Sequence, residues 1–142
     1  MEDYRTRAKS LLKRKRYLET AAEALREQVL FLEEEKKSRP EEWATHALRP
    51  IEAEDWKRLE TKLDDCRFRL HLLEEQLEQI RRAYALLTPY QRDLLETFFA
   101  SKTRYRAEKL CEKYYKERSA VYRDRRKALD EFTLAAFGVL PR

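Results

Sequence analysis

Two long stretches of the chain carry apolar residues at alternating steps of four and three, the spacing of a coiled-coil seam. In the first, residues 4 to 37, the seam is Tyr4, Ala8, Leu11, Lys15, Leu18, Ala22, Leu25, Val29 and Leu32, with one charged interruption at Lys15. In the second, residues 51 to 87, it is Trp56, Leu59, Leu63, Cys66, Leu70, Leu73, Leu77, Ile80, Tyr84 and Leu87, without a break. Phe68 and Leu72 widen this second stripe, so the helix that carries them is expected to touch more than one partner. The connector over residues 38–51, SRPEEWATHALRPI, holds Pro40 and Pro50. Each proline lacks a donor and disfavours helix in the residue before it, which predicts a stop near Lys37 and a new start near Pro50 or Ile51. A short helical turn is expected over Glu41 to Ala47, with Trp43 packed on the end of the pair. At 1.5 Å per residue the helices measure about 51 and 55 Å. Matched lengths and a short connector predict a long antiparallel hairpin over residues 1–87, and its surplus apolar positions argue for a homodimer through the long helices.

At Thr88 the pattern breaks into shorter periods. Thr88, Pro89 and Gln91 form a capping box with proline at the first helical position. The helix they start presents Tyr90, Leu94, Leu95, Phe98 and Phe99. Ser101 and Thr103 offer caps for a next helix bearing Ala107, Leu110, Cys111 and Tyr114 on one face. Tyr115 to Arg118 read as a turn, Ser119 as a candidate cap for a last helix, and Gly138 as its stop. The fold class is therefore all-α: the hairpin, then a small helix-turn-helix domain over residues 88–142.

Charge changes the picture more than overall composition does. Charged residues make up 42% of the chain and glycine occurs once, so Gly-rich phosphate loops have nothing to be built from. Residues 1–39 hold eleven basic and eight acidic side chains, 40–51 one and two, 52–87 seven and nine, and 88–142 thirteen and eight. The basic excess thus sits at the two ends, and the last helix carries Lys116, Arg118, Arg123, Arg125, Arg126 and Lys127 beside apolar Val121, Ala128, Leu129 and Phe132. A helix cationic on one side and apolar on the other can dock on its own domain and face phosphates. The cluster Lys13 to Arg16 could do the same, although solvated flanks of a coiled coil look alike. Cys66 and Cys111 read as reduced core thiols and His46 and His71 as surface residues. No nucleophile and base pair, ligand cluster or cofactor motif is present, which points to a non-enzyme without a cofactor. No apolar run approaches membrane-spanning length and MEDYRTRAKS has no signal-peptide core, so the expectation is a cytoplasmic protein without a membrane partner.

The run LTPYQRDLLETFF, then AEKLCEKYY, RSAVYRDRRKAL and FTLAAFG, covering residues 87 to 138, resembles the C-terminal half of small phage transcriptional regulators of the RinA and ArpU type, whose C-terminal domain resembles region 4 of sigma factors. The resemblance implies a recognition helix over residues 117–136 in the major groove, with Arg118, Ser119, Tyr122 and Arg123 at base edges. It puts Arg126 and Lys127, and Thr103, Arg104 and Arg106 at the start of the preceding helix, on phosphates, with Lys116 beside them. Arginine forks pair with guanine O6 and N7, which agrees with that division. Three positions depart from the family's pattern: Tyr115 stands where the turn commonly has glycine, and Lys116 and Asp124 stand where apolar residues are usual. A changed turn there would tilt the recognition helix.

The leading expectation is a sequence-specific, double-stranded-DNA-binding regulator of transcription, phage or prophage encoded and acting in the bacterial cytoplasm, with the hairpin used for dimerisation or for contacting RNA polymerase. A phage small terminase subunit, which assembles as a ring, and a structural coiled-coil adaptor without DNA binding are the alternatives.

Overall fold

The computed structural model describes residues 3–40, 43 and 49–139. Those residues are helical, without a strand among them. Helix α1 spans Tyr4–Lys37 and α2 Pro50–Ala85; α3, Pro89–Leu95, runs on into a π-helical turn at Glu96–Ala100; α4 is Arg106–Tyr114 and α5 Arg118–Phe137. None of these helices is long and apolar enough to cross a membrane. The expected turn over Glu41 to Ala47 lies outside the described residues, as does His46, except for Trp43, whose ring meets Trp56 edge-on at 6.5 Å.

The long helices stop where backbone chemistry requires it. At the end of α1 the Ser38 amide donates to Glu34 O and its hydroxyl to Glu35 O, while Lys36 and Lys37 place positive charge on the last turn, where the helix dipole favours it. Proline at the first position of α2 loses nothing, because that amide has no partner inside the helix.

The contacts divide the chain into two compact units. One comprises residues 19–75. In it the pairs Arg39–Asp55, Glu33–Arg67 and Arg26–Glu74 climb α2 as they descend α1, the order of antiparallel neighbours. Ala22, Leu25, Leu59, Leu63 and Cys66 are buried between them, whereas Leu30, Phe31, Phe68 and Leu72 stand exposed. The Cys66 thiol is free, and its Sγ lies 3.6 Å from Gln28 Oε1.

The other unit comprises residues 1–18 with 76–142. It is wider than residues 88–142, because both ends of the long helices are built into it. Tyr4 packs on Phe137 and Tyr84 on Phe132, with ring centroids 5.9 and 5.8 Å apart. Arg5 pairs with Asp130 at 2.6 Å, Lys15 with Glu96 at 2.8 Å, and Gln79 donates to Ala136 O at 2.8 Å. Lys15, the charge that interrupts the first seam, is thus held by a carboxylate and by the Tyr84 ring at 5.8 Å. Leu12, which the seam omits, is fully buried together with Ala8, Leu94, Val121, Ala128 and Phe132. A globular unit covers more of a helix than the narrow stripe a coiled coil needs, and Leu12 falls in that added width.

Candidate nucleic-acid interface

The elements that carry the basic residues are held by polar ties. Thr88 and Gln91 close the capping box, with Thr88 Oγ1 accepting from the Gln91 amide at 3.2 Å and Gln91 Oε1 from the Thr88 amide at 3.0 Å. Gln91 Nε2 also donates to Glu131 at 2.6 Å, fixing the start of α3 to α5. Tyr90 OH donates to Asp124 at 2.8 Å, and Lys116 Nζ reaches the same carboxylate at 3.0 Å while lying 4.5 Å from the Tyr90 ring centre. Asp93 accepts from Lys113 at 2.6 Å, Tyr114 at 2.5 Å and Thr97 at 3.3 Å. These bonds set the pKa directions. Burial would raise the Asp93 carboxyl, but the three donors outweigh it and hold it below the usual carboxylate value. The Tyr90 donor holds Asp124 low despite burial, and Lys116 adds to the effect. Burial and the Asp124 carboxylate push the Tyr90 phenol well up, so it stays a donor.

Lys116 and Asp124, two positions where the resemblance led to an expectation of apolar residues, therefore answer each other as an ion pair roofed by a tyrosine ring. The third departure keeps the backbone that glycine would give. Tyr115 sits at φ 53, ψ 47, in the left-handed region, with its amide donating back to Cys111 O and its side chain 95% exposed. Three residues, Tyr115 to Glu117, then join α4 to α5.

Three expected caps are corrected. Ser119 lies inside α5, whose cap position is Glu117 without a side-chain bond. Ser101 and Thr103 do not cap α4. The π-helical turn carries α3 as far as Ala100, so Ser101 closes it by donating to Thr97 O at 3.1 Å and bonds the Thr103 hydroxyl at 2.8 Å. The cap position of α4 falls to Tyr105, itself left-handed at φ 55.

At about 100° per residue α5 has three faces. Val121, Ala128, Leu129 and Phe132 are buried in the unit. Ser119, Arg123 and Lys127, four residues apart, lie along the opposite side with Arg126 beside them, all exposed. Arg118, Tyr122 and Arg125 form a third line on the flank nearest the start of α4. The base-edge set implied by the resemblance is split by this geometry: Ser119 and Arg123 face outward, while Arg118 pairs with Glu108 at 3.0 Å and Tyr122 packs on Phe98 at 5.8 Å. Arg118 and Tyr122 join Thr103, Arg104 and Arg106 around a cleft of about 590 Å³. Arg106 Nε donates to Thr103 O at 3.0 Å, and Arg104 is exposed.

Arg125, counted among the cations of the last helix, was given no contact from sequence. Its guanidinium lies 4.8 Å from the ring centres of both Phe98 and Tyr122 and 6.0 Å from that of Phe99. The wide π-helical turn delivers two consecutive phenylalanines to one cation, an arrangement that a regular helix, rotating neighbours by 100°, opposes. The available signal was the spacing of Arg118, Tyr122 and Arg125 on one line. Stacked guanidinium keeps its N–H edge open for an oxygen ligand.

The chain matches no family model, no curated protein and no solved structure. The chemistry of the surface therefore rests on its own charges. Within α5, Asp124 is held by Tyr90 and Lys116, Asp130 by Arg5 and Glu131 by Gln91. Arg123, Arg126 and Lys127 form no salt bridge among the described residues, although Arg123 lies near enough to Asp124 to help hold that carboxyl low. With Tyr122, Arg125 and Leu134, and with the tied carboxylates Asp130 and Glu131, they line a second, shallow concavity of about 680 Å³.

Proposed function

We propose that the chain is a non-enzymatic, sequence-specific DNA-binding regulator of transcription, phage or prophage encoded, that works in the cytoplasm of a bacterial host. In this reading α4, the left-handed turn and α5 act as a helix-turn-helix, with α5 in the major groove, and the long helices form the antiparallel hairpin. The observation that carries it is the separation of charge on α5: its three acids are tied to other elements while Arg123, Arg126 and Lys127 are left to solvent. A polyanion gains from such a face because it releases counterions to it without first breaking ion pairs. Arg123 and Ser119, at the outward start of the helix, are the base readers; Arg126 and Lys127 contact the backbone. Arg118, Tyr122, Thr103, Arg104 and Arg106 serve the phosphate at the α4 cleft, which assigns Arg118 and Tyr122 a positioning part in place of base readout. Lys116, held by Asp124, adds little.

The exposed Leu30, Phe31, Phe68 and Leu72 support a homodimer through residues 19–75, and the same surface is open to RNA polymerase. They also suit the ring of a phage small terminase subunit. Selection of bound sequences from a random duplex library tests the regulator reading, which predicts one enriched motif. Native mass measurement separates a dimer from a ring, and loss of all salt-sensitive DNA binding would leave the structural adaptor.

A further inference from the structure

The first half of α1 has a use that the coiled-coil pattern hides. From Tyr4 to Leu18 the sequence holds seven basic residues and no acid; acids begin at Glu19, where the compact unit also ends. Three of the seven engage their own unit: Arg5 pairs with Asp130, Lys15 with Glu96, and Arg7 lies over the Phe137 ring at 5.2 Å. Lys9, Lys13 and Arg16 fall on one exposed line of the helix, at steps of four and three, and none has a carboxylate partner among the described residues. Beside them Tyr17 is 62% exposed, and Lys102 lies over its ring at 5.9 Å. Lys102 begins the loop that carries Thr103 and Arg104 to the α4 cleft, so the line on α1 and the cleft are neighbours within one unit.

We infer that Lys9, Lys13 and Arg16, continued by Lys102, form a second contact with the phosphates of the duplex bound by α5, lengthening its footprint beyond the bases under the recognition helix. The inference rests on the DNA-binding reading. From Lys9 to Arg16 the helix rises about 10 Å. One DNA strand carries a phosphate every 3.4 Å or so of axis, enough for two or three contacts along that line. A lipid surface fits less well, because an interfacial helix needs a free apolar face, and Leu11, Leu12 and Leu18 are buried.

The test compares two triple variants of the full chain that remove the same charge. Lys9→Gln/Lys13→Gln/Arg16→Gln alters the proposed contact; Lys37→Gln/Lys57→Gln/Lys62→Gln alters exposed cations of the other unit. Both are checked for unchanged thermal melting, then titrated with a 30-base-pair random duplex at several salt concentrations, alongside the unaltered protein and Lys127→Ala. The first triple is expected to lower the salt slope by about two to three and to weaken binding about tenfold or more at moderate salt, with the second unchanged. If Lys127→Ala lowers the slope while the first triple keeps the full slope, the second contact is refuted and DNA binding stands. If the unaltered protein binds no duplex, both readings fall. Two further results would also overturn the second contact: loss of binding to anionic phosphatidylserine vesicles with duplex binding intact, and a change of oligomeric state in the first triple without DNA.

Discussion

Residues 19–75 hold 10 basic and 16 acidic side chains, whereas residues 1–18 with 76–142 hold 22 and 11. The two units are built from the same helical material and share α1 and α2, yet they treat charge in opposite ways. In the acidic unit many charges pair across and along the helices, as at Arg26–Glu74, Glu33–Arg67 and Arg39–Asp55, and the large apolar side chains Phe31, Phe68 and Leu72 stand exposed among the charges that remain. In the basic unit Asp93, Glu96, Asp124, Asp130 and Glu131 are drawn to donors of other elements, and cations are left over. The first surface suits protein, the second a polyanion.

Separate cores would make the two units separately breakable, and this is where the largest effect is expected. Phe132 is fully buried against Tyr84, so Phe132→Ala should cost about 3 to 5 kcal/mol in denaturant unfolding. Leu63→Ala should cost about 2 to 5 kcal/mol through the other core. Half-buried Leu70 should cost less than Leu63. Amide exchange on the two variants sharpens the comparison: protection should fall first around each altered core. A uniform loss over the whole chain would show one cooperative body.

Next in size are the contacts proposed with DNA. Arg123→Ala should cost about 1 to 3 kcal/mol on the selected site and relax preference at one base pair, while Lys127→Ala weakens specific and random duplexes alike and lowers the salt slope by about one. Equal losses on both duplexes for Arg123→Ala would make it a backbone contact. Tyr115 offers an effect of about 1 kcal/mol in the other direction. A left-handed conformation costs a residue with a side chain roughly 1 to 2 kcal/mol, so Tyr115→Gly should raise the melting temperature of the basic unit. A drop would mean that the exposed ring has a contact worth more than the strain.

The smallest effect is with pH. Asp93 and Asp124 have folded pKa values held below the ordinary 3.8, so their contribution to stability is full above that value and is lost as pH falls through it towards the folded values. Asp124→Asn should flatten the acid side of the stability profile for the basic unit only. An unchanged profile would remove the Tyr90–Asp124–Lys116 cluster from the account.

How much of this was legible beforehand differs between the two units in the same way. Helix limits followed from prolines and caps: Pro40, Pro50, Thr88 with Gln91, and Gly138 all act where the sequence puts them. Helix α5 begins at Arg118 and ends at Phe137, shifted by one residue towards the C-terminus from the expected 117–136. Heptad spacing could not reveal that residues 4–18 leave the coiled-coil role, because a helix packed on a globular unit keeps the same apolar positions and adds only Leu12. Charge summed over whole helices hid the change at Glu19 for the same reason. The π-helical turn has no sequence signature, so the Phe98, Phe99 and Arg125 stack and the failure of Ser101 and Thr103 to cap α4 stayed out of reach.

The most direct test of the comparison is a salt titration of the unaltered chain with random duplex DNA beside a variant stripped of the outward face of α5, Arg123→Ala/Arg126→Ala/Lys127→Ala. The account predicts that log K falls linearly with log salt for the unaltered chain and that the variant loses about two from the slope, one for each of the backbone contacts Arg126 and Lys127, with its helicity and oligomeric state intact. Equal slopes for the two proteins would contradict it, since the unpaired cations of α5 would then face nothing but water.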